Sequence, residues 1–195
     1  AISQSGVDNL KAWLEDGGTL IAMGSAVQWL RSKGLTSVEY VSGGQGGGDN
    51  SRRPYGLLSD DLGSRRIPGS IFEIDLDLTH PLGYGYNRSK MPVFRRGSGF
   101  FKPGNNPYGT PAIHTAKPLL SGYVPSQDMK EIANSGYIVI SSVGSGKVIN
   151  FADDPNFRAF WFGTNKLFMN AIFFGHTISG AGTDRPRPAG SGQRE

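Results

Sequence analysis

The first 35 residues alternate between helical and extended hydrophobic spacing. From Ser5 onward, apolar positions recur every three to four residues across segment 5–16, and this pattern predicts a helix that a pair of glycines ends. The apolar run TLIAMG (19–24) predicts a buried strand, and the segment 25–34 predicts a second helix. This order of helix, strand, turn and helix is typical of an α/β sheet with helices packed on its faces.

Strict alternation marks a strand in the middle of the chain, because SIFEIDLDL (70–78) places its apolar and acidic residues on opposite faces. The segments 42–56 and 97–111 are rich in glycine and are predicted to be loops, the first of them mobile. A short helix is expected near 126–134. YIVISSV and KVINFAD then flank the turn GSG, which predicts a hairpin.

The last predicted helix follows this hairpin. Asp154 is expected to cap it, with Pro155 in its first turn, and its apolar residues run from Phe160 to Ile172. After Gly175 the chain becomes polar. The sequence therefore predicts one α/β domain over residues 1–176 and a polar, flexible tail over residues 177–195.

Composition and charge argue against a disordered protein, a nucleic-acid-binding protein and a membrane-spanning protein. Of the 195 residues, 37% are apolar and 18% charged, which is typical of a globular protein. The net charge is +4, but several arginines lie in NSRRPYG and TDRPRPAGSGQRE, both outside the expected core, and no basic stripe is interleaved with aromatics. We therefore expect no nucleic-acid partner. No apolar run reaches the roughly 18 residues of a membrane span.

Metal and thiol chemistry find little support in the sequence. Cysteine is absent, which excludes disulfides, thiolate zinc sites and a cysteine nucleophile within this chain. His80, His114 and His176 have no carboxylate or second histidine at a ligand-like spacing, and each is interpreted as a surface or turn histidine. We expect no metal site in this chain.

Two segments lie where a strand is expected to meet a helix, the usual position of ligand sites in α/β proteins. They are AMGSAVQ (22–28) and NFADDPN (150–156). Their placement resembles the flavodoxin-like fold of class I glutamine amidotransferases. That family has a nucleophilic cysteine at a G-x-C-x-G elbow and a histidine base on a later strand. The resemblance implies a three-layer sheet with helices on both faces.

This chain departs from the amidotransferase motifs at both positions. Gly24 stands where the cysteine belongs, although the neighbouring Ser25 is a candidate nucleophile. The histidine position falls on Ala152 or Asp153. A serine without a nearby base is a weak nucleophile at neutral pH, so the resemblance implies an inactive amidotransferase site.

A closer resemblance rests on phrases that follow one another between residues 2 and 175. They are GVDNLKAWLEDGGTLIAMGSA, IPGSIFEIDLDLTHPLGYGY, MPVF and GSGKVINFADDPNFRAFWFGTNKLFMNAIFFG. Together they resemble the amidotransferase-like domain at the C-terminal end of large bacterial carboxypeptidase A-type zinc peptidases. The resemblance implies an exported parent protein, with zinc only in an upstream peptidase domain that is this domain's partner. It also implies that the first strands of the sheet precede this chain.

Three hypotheses follow. The leading one is a non-catalytic accessory domain that contacts the peptidase domain or helps to bind its substrate. The second is a hydrolase that uses Ser25 as nucleophile and Asp153 in place of histidine. The third is a module for an anionic or carbohydrate-like ligand, bound by Gly24, Ser25, Asp153, Asp154 and Arg158. In that segment Arg158 is expected to pair with Asp153 or Asp154, an arrangement that is more often structural than catalytic.

Overall fold

A six-stranded sheet organises the chain in the computed structural model, which describes residues 2–41, 52–64, 67–97 and 99–186. The strands are β1 (Thr19–Met23), β2 (Ser70–Leu76), β3 (Lys90–Arg95), β4 (Ala112–Ser121), β5 (Gly136–Val143) and β6 (Gly146–Phe151). The helices are α1 (Gln4–Glu15), α2 (Ser25–Ser32), α3 (Leu58–Ser64), α4 (Ser126–Ile132) and α5 (Phe162–Phe174).

The strand order is β1-β6-β5-β4-β2-β3. β1 and β6 run parallel, and each of the other neighbouring pairs is antiparallel. This mixed sheet with helices confirms the predicted α/β class. It is compatible with a flavodoxin-like or class I amidotransferase-like arrangement.

Helices cover both faces of the sheet, as alternate side chains of β6 show. Asn150 points to one face, where its Oδ1 accepts a hydrogen bond from Thr36 at 3.1 Å, and the segment that carries Thr36 lines a groove with α1 and α2. Ile149 points to the other face and lies against Gly175, at the end of α5. The sheet is therefore the middle of three layers.

Several local predictions are confirmed. α1, β1 and α2 form in the predicted order, although α1 begins at Gln4 and is capped by Ser3, whose side chain accepts a hydrogen bond from the Gly6 amide at 3.2 Å. β2 buries its alternating apolar residues. β5 and β6 form the predicted hairpin, with Val143 opposite Gly146. The core between these elements is apolar and buried.

Two strands, β3 and β4, were missing from the sequence prediction. β3 contains Pro92 and ends in Arg95, while β4 contains Pro118 and two adjacent exposed positions, so neither has the continuous alternation that identifies β2. Proline is tolerated in β3 because this strand lies at the edge of the sheet. His114 is consequently a strand residue in the core, and its assignment to the surface was wrong.

The predicted start of the last helix was also wrong. α5 begins at Phe162, and Asp154 instead accepts a hydrogen bond from the Asn156 amide at 2.8 Å. Arg158 and Ala159 have φ values of 51° and 54°, in the left-handed region, which interrupts helical backbone between Asp154 and α5.

Within residues 177–186, the described part of the expected polar tail, Asp184 contacts the sheet. The backbone of Asp184 pairs with β5 as a neighbouring strand would. Its amide donates to Ile140 O at 2.8 Å, and its carbonyl accepts from Ser142 N at 2.6 Å. Its carboxylate accepts a hydrogen bond from Asn106 N at 2.8 Å. Residues 187–195 of the predicted tail, and residues 42–51 of the predicted mobile loop, lie outside the described residues.

Candidate functional site

The turn between β1 and α2 has the geometry of a strand-to-helix elbow. Gly24 occupies its apex with φ 54° and ψ −122°, a conformation that residues with a side chain rarely adopt. Its amide donates to Phe151 O at 3.2 Å, which places the elbow beside the end of β6. Ser25 follows as the exposed first residue of α2. The apex, where an enzyme of this type carries its nucleophile, has no side chain here.

Replacing Gly24 with alanine tests the strain at this apex. Among the described residues, no atom beyond its two chain neighbours lies within 4 Å of the position that a Cβ would occupy, so the cost comes from the backbone and not from a clash. We expect the free energy of unfolding to fall by about 1–3 kcal/mol, measured by urea denaturation. Gly163→Ala is the matched control, because Gly163 also has open space but lies in α5. That variant should gain about 0.5–1 kcal/mol.

The end of β6 presents a buried ion pair instead of a histidine base. Asp153 Oδ2 lies 2.7 Å from Arg95 Nη1, and the Arg95 side chain is 1% exposed. Arg95 also donates to the Gly99 carbonyl, and its guanidinium carbon lies 4.1 Å from the centre of the Phe100 ring. The second oxygen of Asp153 accepts from the Arg96 amide at 3.4 Å. The candidate base is thus held inside the core.

Burial of the Arg95–Asp153 pair away from water changes the pKa of Asp153. Burial raises the pKa of Asp153 above its ordinary value, while the Arg95 charge and the hydrogen bonds from Arg95 and Arg96 oppose that rise. The direct 2.7 Å contact and the companion hydrogen bonds favour the charged pair. Burial also raises the pKa of Tyr137, a buried neighbour whose ionisation the negative charge of Asp153 disfavours.

Arg158 does not join this site. Its guanidinium carbon lies 5.3 Å from the centre of the Phe157 ring. Of its two expected partners, Asp153 is held by Arg95 and Asp154 accepts a hydrogen bond from the Asn156 amide. Asp154 is exposed and caps the local turn through Asn156. The candidate residues therefore divide into the elbow, the buried pair and an exposed turn, and Ser25 and Asp153 stay untested as catalytic residues.

The three histidines are dispersed. His114 is 0% exposed, and its Nδ1 lies 3.0 Å from Ser135 Oγ. Burial and the nearby Arg95 charge together lower its pKa to about 3. His80 Nδ1 accepts from the Leu82 amide at 3.2 Å, and burial lowers the pKa of this histidine too. His176 is exposed at the end of α5.

Arg95 is the central residue that sequence reasoning missed. It lies in MPVFRRG, where two adjacent arginines are typical of a solvated segment. The alternation of buried positions in β3, which includes Met91 and Val93, places Arg95 on the core side. Recognising β3 as a strand would have indicated this burial.

Two cavities are lined by residues other than Gly24, Ser25 and Asp153. One of about 440 Å³ lies between His80, Tyr108 and Ser179, and another of about 630 Å³ lies between α1 and α2. Within the described ranges, no three histidine or acidic side chains are grouped closely enough to hold a metal ion. No helix of that part of the chain is long and apolar enough to cross a membrane.

Comparisons with known proteins give a distant likeness to a solved structure. No protein-family model and no curated protein matches the chain. A solved structure, described as a cytoplasmic protein from Salmonella typhimurium, is similar with a TM-score of 0.43 and 16% identity and covers 89% of this chain. The match covers 61% of that protein. A likeness this distant carries no argument about function.

Proposed function

We propose that the chain is a non-catalytic accessory domain of an exported zinc carboxypeptidase-like protein. In this proposal it contacts the upstream peptidase domain or helps to bind its substrate, and zinc belongs to that domain alone. The observation that carries the non-catalytic part is the elbow, whose apex residue Gly24 has no side chain to act as nucleophile. The sequence phrases that resemble the peptidase family support the rest.

The surroundings of Ser25 support the same proposal. A serine nucleophile needs a base within about 2.6–3.2 Å to remove its proton. Asp153, the candidate base, has one oxygen on Arg95 at 2.7 Å and the other on the Arg96 amide at 3.4 Å. Moving this carboxylate to Ser25 would leave the Arg95 charge buried without its partner, which is strongly unfavourable.

Glutaminase and esterase assays test the non-catalytic part. We expect the purified chain to release no ammonia from glutamine and to hydrolyse no activated ester above the rate of a buffer blank. Ser25→Ala should leave any background rate unchanged, because Arg95 and the Arg96 amide hold the carboxylate of Asp153, the candidate base. A rate that is clearly above the blank and falls at least tenfold in Ser25→Ala would instead establish the serine hydrolase.

The size of the native protein tests the accessory role. An antibody against this domain should detect, in the source organism, a polypeptide far larger than 20.9 kDa. The fraction that contains it should be the exported one, and the purified polypeptide should contain zinc. A native band near 20.9 kDa would contradict the accessory role. The elbow and its surroundings would then be examined for a ligand of their own.

A further inference from the structure

The cavity of about 440 Å³ lies between the turn that follows β2 and the segment 177–182. Its volume is within the range of roughly 300–1,000 Å³ that small-ligand sites have. The turn contributes Asp77 and His80 to its lining, and Tyr108 lines it from a different loop. The cavity therefore combines a carboxylate, an imidazole and a phenol that are distant from the elbow in sequence.

Hydrogen bonds hold the walls of this cavity together. The Asp77 amide donates to Pro111 O at 2.8 Å, which ties the turn to the loop that contains Tyr108. Asn106 Nδ2, at the other end of the same loop, donates to Ala181 O at 2.7 Å. The loop of Tyr108 is thus bonded to both of the other walls, and the cavity is formed before any ligand binds.

Asp77 supplies a negative charge. Its Oδ1 accepts hydrogen bonds from Thr79 N at 2.8 Å and from Thr79 Oγ1 at 2.7 Å. Burial raises the pKa of this carboxyl, but the hydrogen bonds from Thr79 and the nearby His80 outweigh that effect, so the pKa lies below its ordinary value. The group is therefore charged at neutral pH. No donor among the described residues contacts its Oδ2, so this oxygen is left for a ligand.

No cation of the described residues balances this charge. None of those that line the cavity is a lysine or an arginine, and none of their ion pairs includes Asp77. The imidazole of His80 is uncharged at neutral pH, because burial lowers its pKa, and its Nδ1 accepts a hydrogen bond from the Leu82 amide at 3.2 Å. The cavity is therefore negatively charged.

Tyr108 adds an aromatic surface beside this charge. The residue is 73% exposed, and its ring has no aromatic or cationic partner in the part of the chain that the structure describes. The face of such a ring attracts a cation that lies within about 6 Å of its centre. Pro81 and Ile178 also line the cavity, and they offer apolar surface to the alkyl stem of a cation.

We infer that this cavity binds an organic cation that has an alkyl stem, an alkylguanidinium or alkylammonium ion. The cation pairs with Asp77 Oδ2 and lies against the ring of Tyr108, while its stem packs on Pro81 and Ile178. A neutral ligand would displace water from the carboxylate without replacing the lost interaction, and an anion would be repelled. The inference rests on this cavity alone and does not depend on the proposed function.

Titration of the isotope-labelled chain with n-butylguanidinium and n-butylammonium, followed by NMR, tests the inference. We expect both ions to shift the backbone amide signals of Thr79 and Ala181. The dissociation constants should be about 1 mM, because one ion pair and one ring contact form near the surface. n-Butylurea has the shape of n-butylguanidinium without its charge and should bind at least tenfold more weakly. Added salt should weaken the binding of the cations alone.

Asp77→Asn separates the charge from the turn, because asparagine keeps the Oδ1 acceptor for Thr79. This variant should weaken binding of n-butylguanidinium at least tenfold, and Tyr108→Leu should weaken it about two- to fivefold. Asp75→Asn is the matched control, since Asp75 is an exposed acid of β2 that does not line the cavity. It should leave binding unchanged.

Three results would overturn the inference. The first is the absence of any signal change at about 20 mM of either cation. The second is binding that Asp77→Asn leaves unchanged or that n-butylurea equals. The third is a methyl glucoside that shifts the same signals at lower concentration than the cations, which would make the cavity a site for neutral sugars.

Discussion

Replacing Arg95 with methionine should destabilise the protein by about 3–5 kcal/mol. The substitution leaves the Asp153 carboxylate, which Arg95 contacts at 2.7 Å, buried without a countercharge. It also removes the donor to the Gly99 carbonyl and the stacking on Phe100. Since domains are stable by only about 5–15 kcal/mol, the loss should be a large share of the total. Urea denaturation at pH 7 measures it.

A double variant separates the pair from the packing of the arginine. Arg95→Met with Asp153→Leu removes both charges, and it should recover most of the lost stability because no isolated charge stays buried. Lys102→Met is the control, because it breaks the exposed Lys102–Glu39 pair at 3.5 Å. That change should cost less than about 1 kcal/mol. A cost below about 1 kcal/mol for Arg95→Met itself would show that the buried pair contributes little.

Acid should unfold the protein through His114. Its pKa is about 3 in the fold, because burial and the Arg95 charge disfavour protonation, against 6.5 as its ordinary value. Above pH 6.5 both the folded and the unfolded state are neutral at this residue. As the pH falls from about 6.5 to about 3, the unfolded state gains a proton that the folded state cannot hold. Each pH unit in this window costs about 1.4 kcal/mol, so about 2 kcal/mol is lost by pH 5.

His114→Phe isolates this contribution. Phenylalanine cannot titrate, and the site is lined by Phe72, Phe100 and Tyr137, whose ring centres lie 5.9, 6.4 and 5.8 Å away. The unfolding free energies of the variant and the wild type are compared over a range of pH, because the larger ring also changes the packing at every pH. The slope of unfolding free energy between pH 5 and 6.5 should flatten. Part of the slope remains, because the pKa of His80 is also lowered. An unchanged slope in His114→Phe would refute the assignment.

Sequence pattern was sufficient where local and tertiary preferences agree. The alternation of β2 and the short turn between β5 and β6 appear in the structure as predicted. β3 and β4 escaped prediction because Pro92 and Pro118 interrupt their patterns, while pairing with β2 stabilises both strands. Such pairing is a long-range contact that a local pattern does not contain.

The candidate site was predicted in part. The position of the elbow at Gly24 follows from a strand signal next to a helix signal, and the structure has that turn. The partner of Asp153 was missed because Arg95 is remote in sequence. The delayed start of α5 also depends on distant contacts, since Phe157 stacks on Phe94 at 4.1 Å between ring centres just before the helix.

The sheet order has a consequence for how the protein is made. β1 pairs with β6, and Thr19 lies opposite Lys147. Most of the chain is synthesised between these two residues, so β1 cannot pair until late in synthesis. Until β6 has been added, the apolar strand TLIAM has no neighbouring strand to pair with. Contacts between distant segments slow folding and prolong the exposure of aggregation-prone surface. We therefore expect nascent chains that end before residue 146 to be the species that chaperones bind most strongly.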